Sequence, residues 1–248
     1  EMDYCDWSSD VCSSDLQPVT ALVWNPHPQP YTGPIELENC LDYRPLMAYT
    51  RRAHELPITL WGPDGRARPF QVIPRESPAF STLAWRYRIL TPVTISPWGW
   101  QILQFGYREQ PPVVEGGPNP AECPAPGVIT NGLYAVSAKV GEADVHITLD
   151  GEPVFQGGGL TAQTVADPWG SWGAMGSETE GRLQDQHLQE WSVVRVQTLE
   201  NGPERATLWV RMAGGRSQLD LFFRLCRGRR AIDLDIRVTW NEDRARLK

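Results

Sequence analysis

The run Asp167-Pro168-Trp169-Gly170-Ser171-Trp172-Gly173 holds the side chains best suited to binding chemistry in this chain. Two indoles in a glycine-containing turn present flat apolar faces that suit the C–H side of a sugar ring, and an aspartate beside them accepts hydrogen bonds from hydroxyls. On that chemistry Asp167, Trp169 and Trp172 form the candidate substrate-binding set. A second reading stays open: the two indoles anchor the loop on a neighbouring part of the protein or cover the end of a sheet.

Cleavage of a glycosidic bond needs two carboxyl groups, and Asp233 and Asp235 share one face of an alternating run. Their spacing along a strand is about 7 Å, within the range such pairs use. Arg224 and Arg237 fall close by, so ion pairing is the favoured reading and no catalytic residue is assigned. The histidines, His27, His54, His146 and His187, show no metal-ligand spacing such as two at i and i+4 beside a carboxylate, so no metal ligand is assigned. Trp98 and Trp100, one residue apart on a strand, read as core packing or as a seam between domains.

These groups must be positioned by strands. In residues 231–240, Ile232, Leu234, Ile236, Val238 and Trp240 alternate with Asp233, Asp235, Arg237 and Thr239, the period of a half-buried antiparallel strand. Residues 217–227 place Leu219, Leu221, Phe223 and Leu225 on one side, and Arg227-Gly228-Arg229 turns the chain between the two runs. Ala206, Leu208, Val210 and Met212 repeat the pattern, separated by Asn201-Gly202-Pro203 from a further run at 191–199. Four strands and three turns predict a β-meander.

Earlier in the chain, an apolar strand entered at Val19 meets the proline-rich turn at 25–28, a second strand follows at 33–38, and 56–60, 70–73, 85–90 and 96–103 read as further strands of a small β-sandwich, residues 17–110. Pro111, Pro112, Gly116, Gly117, Pro118, Pro120, Pro124 and Pro126 mark residues 111–127 as a linker, and a second unit, 128–248, opens at Val128. With 41% apolar residues, 22 glycines and 22 prolines, the composition suits a sizeable core built of short strands, and the fold class is all-β.

Net charge of −7 argues against a nucleic-acid partner, and the arginines at 227, 229 and 230 read as a solvated turn. No apolar run approaches the ~20 residues needed to span a bilayer. Residues 6–16 match the in-frame translation of a sequencing-library primer, so residues 1–16 are set aside from the fold, and a natural reading frame is expected to continue upstream. That leaves Cys40, Cys123 and Cys226, widely spaced and odd in number, which suits a reducing, cytoplasmic compartment.

Several motifs in order carry a family resemblance. Asn25-Pro26, Pro97-Trp98-Gly99-Trp100, the run Thr130-Asn131-Gly132-Leu133-Tyr134-Ala135-Val136, the Asp167 to Trp172 loop, the stretch 200–210 and the terminal stretch 238–248 together resemble the C-terminal β region of family 38 glycoside hydrolases, the retaining α-mannosidases. The resemblance implies a small sandwich followed by part of a large sandwich similar to galactose mutarotase. It implies an α-mannoside as the carbohydrate, with upstream catalytic-barrel and helical domains as partners. The family's nucleophilic aspartate and its zinc site belong to that barrel, and no position here matches them. The fragment itself is therefore expected to hold no cofactor and to be inactive. The resemblance leaves two alternatives: a freestanding carbohydrate-binding module, which needs an exposed aromatic platform, and an aldose epimerase-like enzyme, which needs a histidine such as His146 or His187 to meet a carboxylate such as Glu178 or Glu190 in a pocket.

Overall fold

A computed structural model describes residues 18–40, 57–73, 86–108, 112–114, 116–167 and 187–248. Among the described residues every regular element is a strand, as the alternating patterns require, and every pairing is antiparallel. The chain divides into two units, Glu1–Gly116 and Gly117–Lys248.

The first unit contains β1 (Val19–Trp24), β2 (Tyr31–Cys40), β3 (Ile58–Trp61), β4 (Ala67–Arg68), β5 (Gln71–Ile73), β6 (Arg86–Ile95) and β7 (Trp100–Tyr107). They form two sheets, ordered β1-β7-β3-β4 and β2-β6-β5. Leu60, Leu103 and Phe105 from the first sheet meet Ile89, Val93 and Ile95 from the second in one buried cluster. Phe70 closes on Phe105 edge to face, with ring centroids 5.7 Å apart. Thr91, also buried, stays satisfied by donating to the Pro69 carbonyl at 2.8 Å.

The second unit runs through β8 (Glu122–Ala125), β9 (Val128–Thr130), β10 (Tyr134–Ser137), β11 (Asp144–Leu149), β12 (Glu152–Pro153), β13 (Leu160–Thr161), β14 (Thr164–Ala166), β15 (His187–Gln189), β16 (Ser192–Asn201), β17 (Arg205–Gly214), β18 (Ser217–Cys226), β19 (Ile232–Thr239) and β20 (Ala245–Leu247). The predicted meander is present as the sheet β16-β17-β18-β19, with boundaries within two residues of those read from the alternation. Its inner face, including Leu208, Val210, Leu221 and Phe223, packs with Ile129, Val136, Val145 and Ile147 of the sheet β12-β11-β10-β9-β8.

Two expectations need correction. The stretch read as a linker is built into the second unit from Gly117 onward: Ala121 is buried and donates its N–H to the Pro203 carbonyl at 3.0 Å, and β8 pairs with β9. Proline misled the reading, because β8 ends its sheet, and an edge strand tolerates Pro124 where an inner strand would not. The face predicted for 232–240 is also uneven. Ile232, Leu234 and Trp240 pack on the core, whereas Ile236 and Val238 are half exposed, at 53% and 50%.

Candidate functional site

Asp167 is the first residue beyond β14. Its N–H donates to the Arg244 carbonyl at 2.8 Å, continuing the ladder in which Ala166 faces Ala245 of β20. The terminal run thus fixes the root of the candidate loop. Asp167 is half-buried there, while Trp169 and Trp172 lie outside the described residues.

The motifs that carry the resemblance act as hydrogen-bond hubs. Asn131, fully buried, donates through Nδ2 to the carbonyls of Cys226 and Arg229 at 2.8 and 2.9 Å. Its Oδ1 accepts from the N–H groups of Leu133 and Tyr134 at 3.2 and 2.8 Å. One amide therefore ties the β9–β10 turn to the β18–β19 turn with its donors and acceptor used. Gly132 follows at φ +76°, where a Cβ would also stand 3.0 Å from the Asn119 side-chain oxygen. Asn25 plays a like part in the first unit, donating to the Gln29 and Ser96 carbonyls at 2.8 and 3.1 Å and accepting from the His27 N–H.

Buried ion pairs organise the stretch 200–205. Arg205 spans both oxygens of Glu200 at 2.6 and 2.7 Å, and Arg227 donates to buried Glu204 at 2.9 Å. In the terminal stretch Glu242 accepts from Gln189 Nε2 at 2.9 Å and from the Arg216 N–H and Ser217 hydroxyl at 2.7 and 3.0 Å. The Gln189 bond first, and then the Arg216 N–H, hold its carboxyl below the usual carboxylate range.

Neither aspartate of the candidate carboxylate pair is free for acid–base work: Asp235 pairs with Arg224 at 2.6 Å and Asp233 with Arg229 at 2.7 Å. The basic turn is likewise neutralised, since Arg227, Arg229 and Arg230 pair with Glu204, Asp233 and Asp150. Ion pairing was read correctly for Arg224, but the second partner is Arg229, while Arg237 lies 4.8 Å from the Phe222 ring centroid. On the same outer face Trp209 stacks with Phe222 at 6.3 Å and donates Nε1–H to Asp220 at 2.7 Å. Arg211 grips the same carboxylate.

A histidine and two carboxylates converge at β11, a grouping not read from the sequence. Asp144 and His146 sit two apart on β11 and so share a face, and the preceding turn brings Glu142 beside them. His146 Nε2 lies 3.5 Å from Asp144 and 3.7 Å from Glu142, and the three ligand atoms fall within 4.8 Å of one another, a spacing that could hold a cation. The signal was a histidine with one carboxylate two residues before it on the strand and another four residues before it in the turn. His146 is exposed, its carboxylate neighbours differ from those the epimerase reading named, and Glu178 lies outside the described residues.

Trp98 and Trp100 are not core residues. Trp98 is 61% exposed and Trp100 63%, which removes the packing half of the expectation. Along β1 the residues Val19, Ala21 and Val23 turn inward, so Leu22 and Trp24 turn outward. The β1–β7 register sets Trp24 opposite Trp100 and Leu22 opposite Ile102, forming an exposed apolar row. Trp98 sits in the β6–β7 turn at φ +54°, a left-handed conformation that costs a bulky residue of order 1 kcal/mol. Its N–H donates to the His27 carbonyl at 3.1 Å, fastening the two turns together.

No protein-family model and no curated protein sequence matches the chain. Among solved structures it is similar to a protein of glycosyl hydrolase family 38 from Enterococcus faecalis, with a TM-score of 0.58 at 12% identity, over 94% of this chain and 32% of that one. It is also similar to an α-mannosidase from Enterococcus faecalis V583, with a TM-score of 0.57 at 11% identity, over 95% of this chain and 31% of that one. The chain spans about a third of the length of these structures, and at such identities the likeness is one of fold: an all-β arrangement shared with glycosyl hydrolase family 38.

Proposed function

We propose that this chain serves as the β region of an α-mannosidase-like glycoside hydrolase, scaffolding a catalytic barrel supplied by further sequence and shaping the approach of an α-mannoside. The observation that carries this reading is the fold match, which takes in nearly all of this chain but only a third of the family 38 protein and of the α-mannosidase it matches. The ion-paired state of Asp233 and Asp235 supports it, because these aspartates are committed to structure. In the complete enzyme zinc would belong to the barrel, and retention would proceed through a glycosyl-enzyme intermediate on barrel residues. Asp167, Trp169 and Trp172 would contribute to the carbohydrate cleft. The free thiols of Cys123 and Cys226 suit a cytoplasmic setting. The test is direct: residues 17–248 should show no hydrolysis of an aryl α-mannoside above buffer and no stoichiometric zinc. Turnover, or one tightly held zinc per chain that persists in His146→Ala, would overturn the scaffold reading.

The exposed pair Trp24 and Trp100, with Trp98 at the adjoining turn, favours a second reading as a carbohydrate-binding module. Quenching of tryptophan fluorescence by mannan, lost on Trp24→Ala, would favour it. Unchanged fluorescence up to saturating polysaccharide would leave the scaffold reading alone.

A further inference from the structure

The sequence holds two Asn-Gly steps, Asn131-Gly132 and Asn201-Gly202, and the fold treats them in opposite ways. Asparagine before glycine is open to attack by the following backbone nitrogen on its own side-chain carbonyl, because glycine has no Cβ to obstruct the approach and leaves the backbone free to turn. At Asn131 that approach is closed. The residue is buried, Nδ2 is held by two carbonyls and Oδ1 by two N–H groups, and the Gly132 N–H donates to the Thr130 hydroxyl at 3.1 Å. At Asn201, the exposed last residue of β16, the same dipeptide opens the turn into β17. Its Oδ1 accepts from the Cys123 N–H at 2.9 Å, and its Nδ2 has no partner among the described residues. A donor thus sits on the oxygen that gathers negative charge during attack, while the nitrogen that must leave is unbound.

We infer that Asn201 is a site of spontaneous covalent modification, a slow conversion of amide to carboxylate at the β16–β17 turn with water as the only co-reactant. The Gly202 nitrogen gives up its proton and bonds to Asn201 Cγ. The Cγ–Nδ2 bond breaks, and ammonia leaves with a proton, closing a five-membered succinimide. Water then opens the ring at one carbonyl or the other, giving aspartate or isoaspartate. Both products place a new negative charge in the turn, and isoaspartate also lengthens the backbone by one methylene before Pro203. The neighbourhood transmits both changes. Glu200 and Glu204, on either side of the step, are committed to Arg205 and Arg227, and the Pro203 carbonyl accepts the Ala121 N–H at 3.0 Å. With Cys123 of β8 on the Asn201 side chain, the modified step lies where β8 joins the meander. Pairing of Asn201 with Ala206 holds its backbone extended, so the folded chain reacts more slowly here than the unfolded chain, in which neither asparagine is restrained.

Peptide mapping by mass spectrometry on the full chain, aged in mildly alkaline buffer with and without urea, tests the site; enzymatic methylation of isoaspartate identifies the second product. In the folded chain Asn201 should convert about 10-fold or more faster than Asn131, which must first break its four hydrogen bonds. In urea the two should convert at similar rates, since only the fold distinguishes them. Gly202→Ala should slow conversion at Asn201 and leave Asn131 as it was, because the added Cβ obstructs the attacking nitrogen. A folded chain in which Asn201 stays intact while the urea-treated chain converts it would overturn the inference. So would equal rates at the two asparagines in the folded chain, or a folded Gly202→Ala variant that converts at the wild-type rate. The wild-type comparison decides the matter by itself if that variant does not fold.

Discussion

Asn131 holds the carbonyl of Cys226 at 2.8 Å although 95 residues separate the two in the chain. With the Arg229 carbonyl on the same amide, this contact closes the β18–β19 turn over the turn that opens β10. Asn131→Ala removes four hydrogen bonds, taking a partner from the Cys226 and Arg229 carbonyls and from the Leu133 and Tyr134 N–H groups, although the Cys226 carbonyl keeps the Arg229 N–H. The expected loss is about 2–4 kcal/mol. Asn131→Asp should not rescue it, because a carboxylate cannot donate to two carbonyls. Urea denaturation followed by far-UV circular dichroism measures both; an alanine variant within error of the wild type would show that water replaces the amide at no cost.

Trp191 sits against Gly214, where an added Cβ would stand 2.6 Å from the indole ring. The ring is buried and its Nε1–H donates to Thr164 at 2.8 Å, linking β14 to the meander. Gly214→Ala should displace the indole, with a cost of about 1–3 kcal/mol from overpacking. Trp191→Phe should cost less at the glycine but leave the buried Thr164 hydroxyl without its donor. If Gly214→Ala melted with the wild-type midpoint, the indole would have room that the geometry denies it.

Much of this was legible in the sequence because period-two alternation is a local signal. The strands of the meander follow from it almost residue by residue, since their inner face is Leu208, Val210, Leu221 and Phe223, and their turns contain glycine. The hubs were visible only as motifs. Nothing local in Asn131 says that its amide will reach the carbonyl of Cys226, because that partner is brought by topology. The outward Trp24 was hidden for a related reason: Val19 to Trp24 is apolar on both faces, so alternation alone could not say which side turned to solvent. The group at Glu142, Asp144 and His146 was not legible as a ligand set, because it joins one histidine to two carboxylates across a turn and a strand and contains no second histidine.

Acid should loosen the second unit through Glu242. Its folded-state pKa is depressed by the Gln189 bond and the Arg216 N–H, so the carboxylate contributes stability above the unfolded-state value, near 4.5, and that contribution is lost as pH falls through the lower folded-state value. Asp220 has the same sign, held down first by Arg211, with Trp209 adding a second bond. Stability should therefore fall between about pH 5 and the acid limit. Glu242→Gln should flatten that part of the curve while lowering the plateau at neutral pH. Parallel pH profiles for variant and wild type would remove Glu242 from the account.

The outward row on β1 and β7 makes a prediction of opposite character. Trp24 and Trp100 face each other across the register but lie outside the buried cluster of their unit, which draws on Leu103 and Phe105 instead. Truncating both to alanine removes apolar surface from solvent contact and little from the core. The combined stability change should stay within about 0.5 kcal/mol per site, the range of ordinary surface substitutions. Binding of an apolar reporter dye such as ANS should fall, because the row is exposed aromatic surface of the first unit. Leu103→Ala, on the inward face of the same strand, provides the contrast, with an expected cost of about 2–5 kcal/mol. A double tryptophan variant that lost stability on the scale of the leucine variant would mean that the indoles are covered in solution.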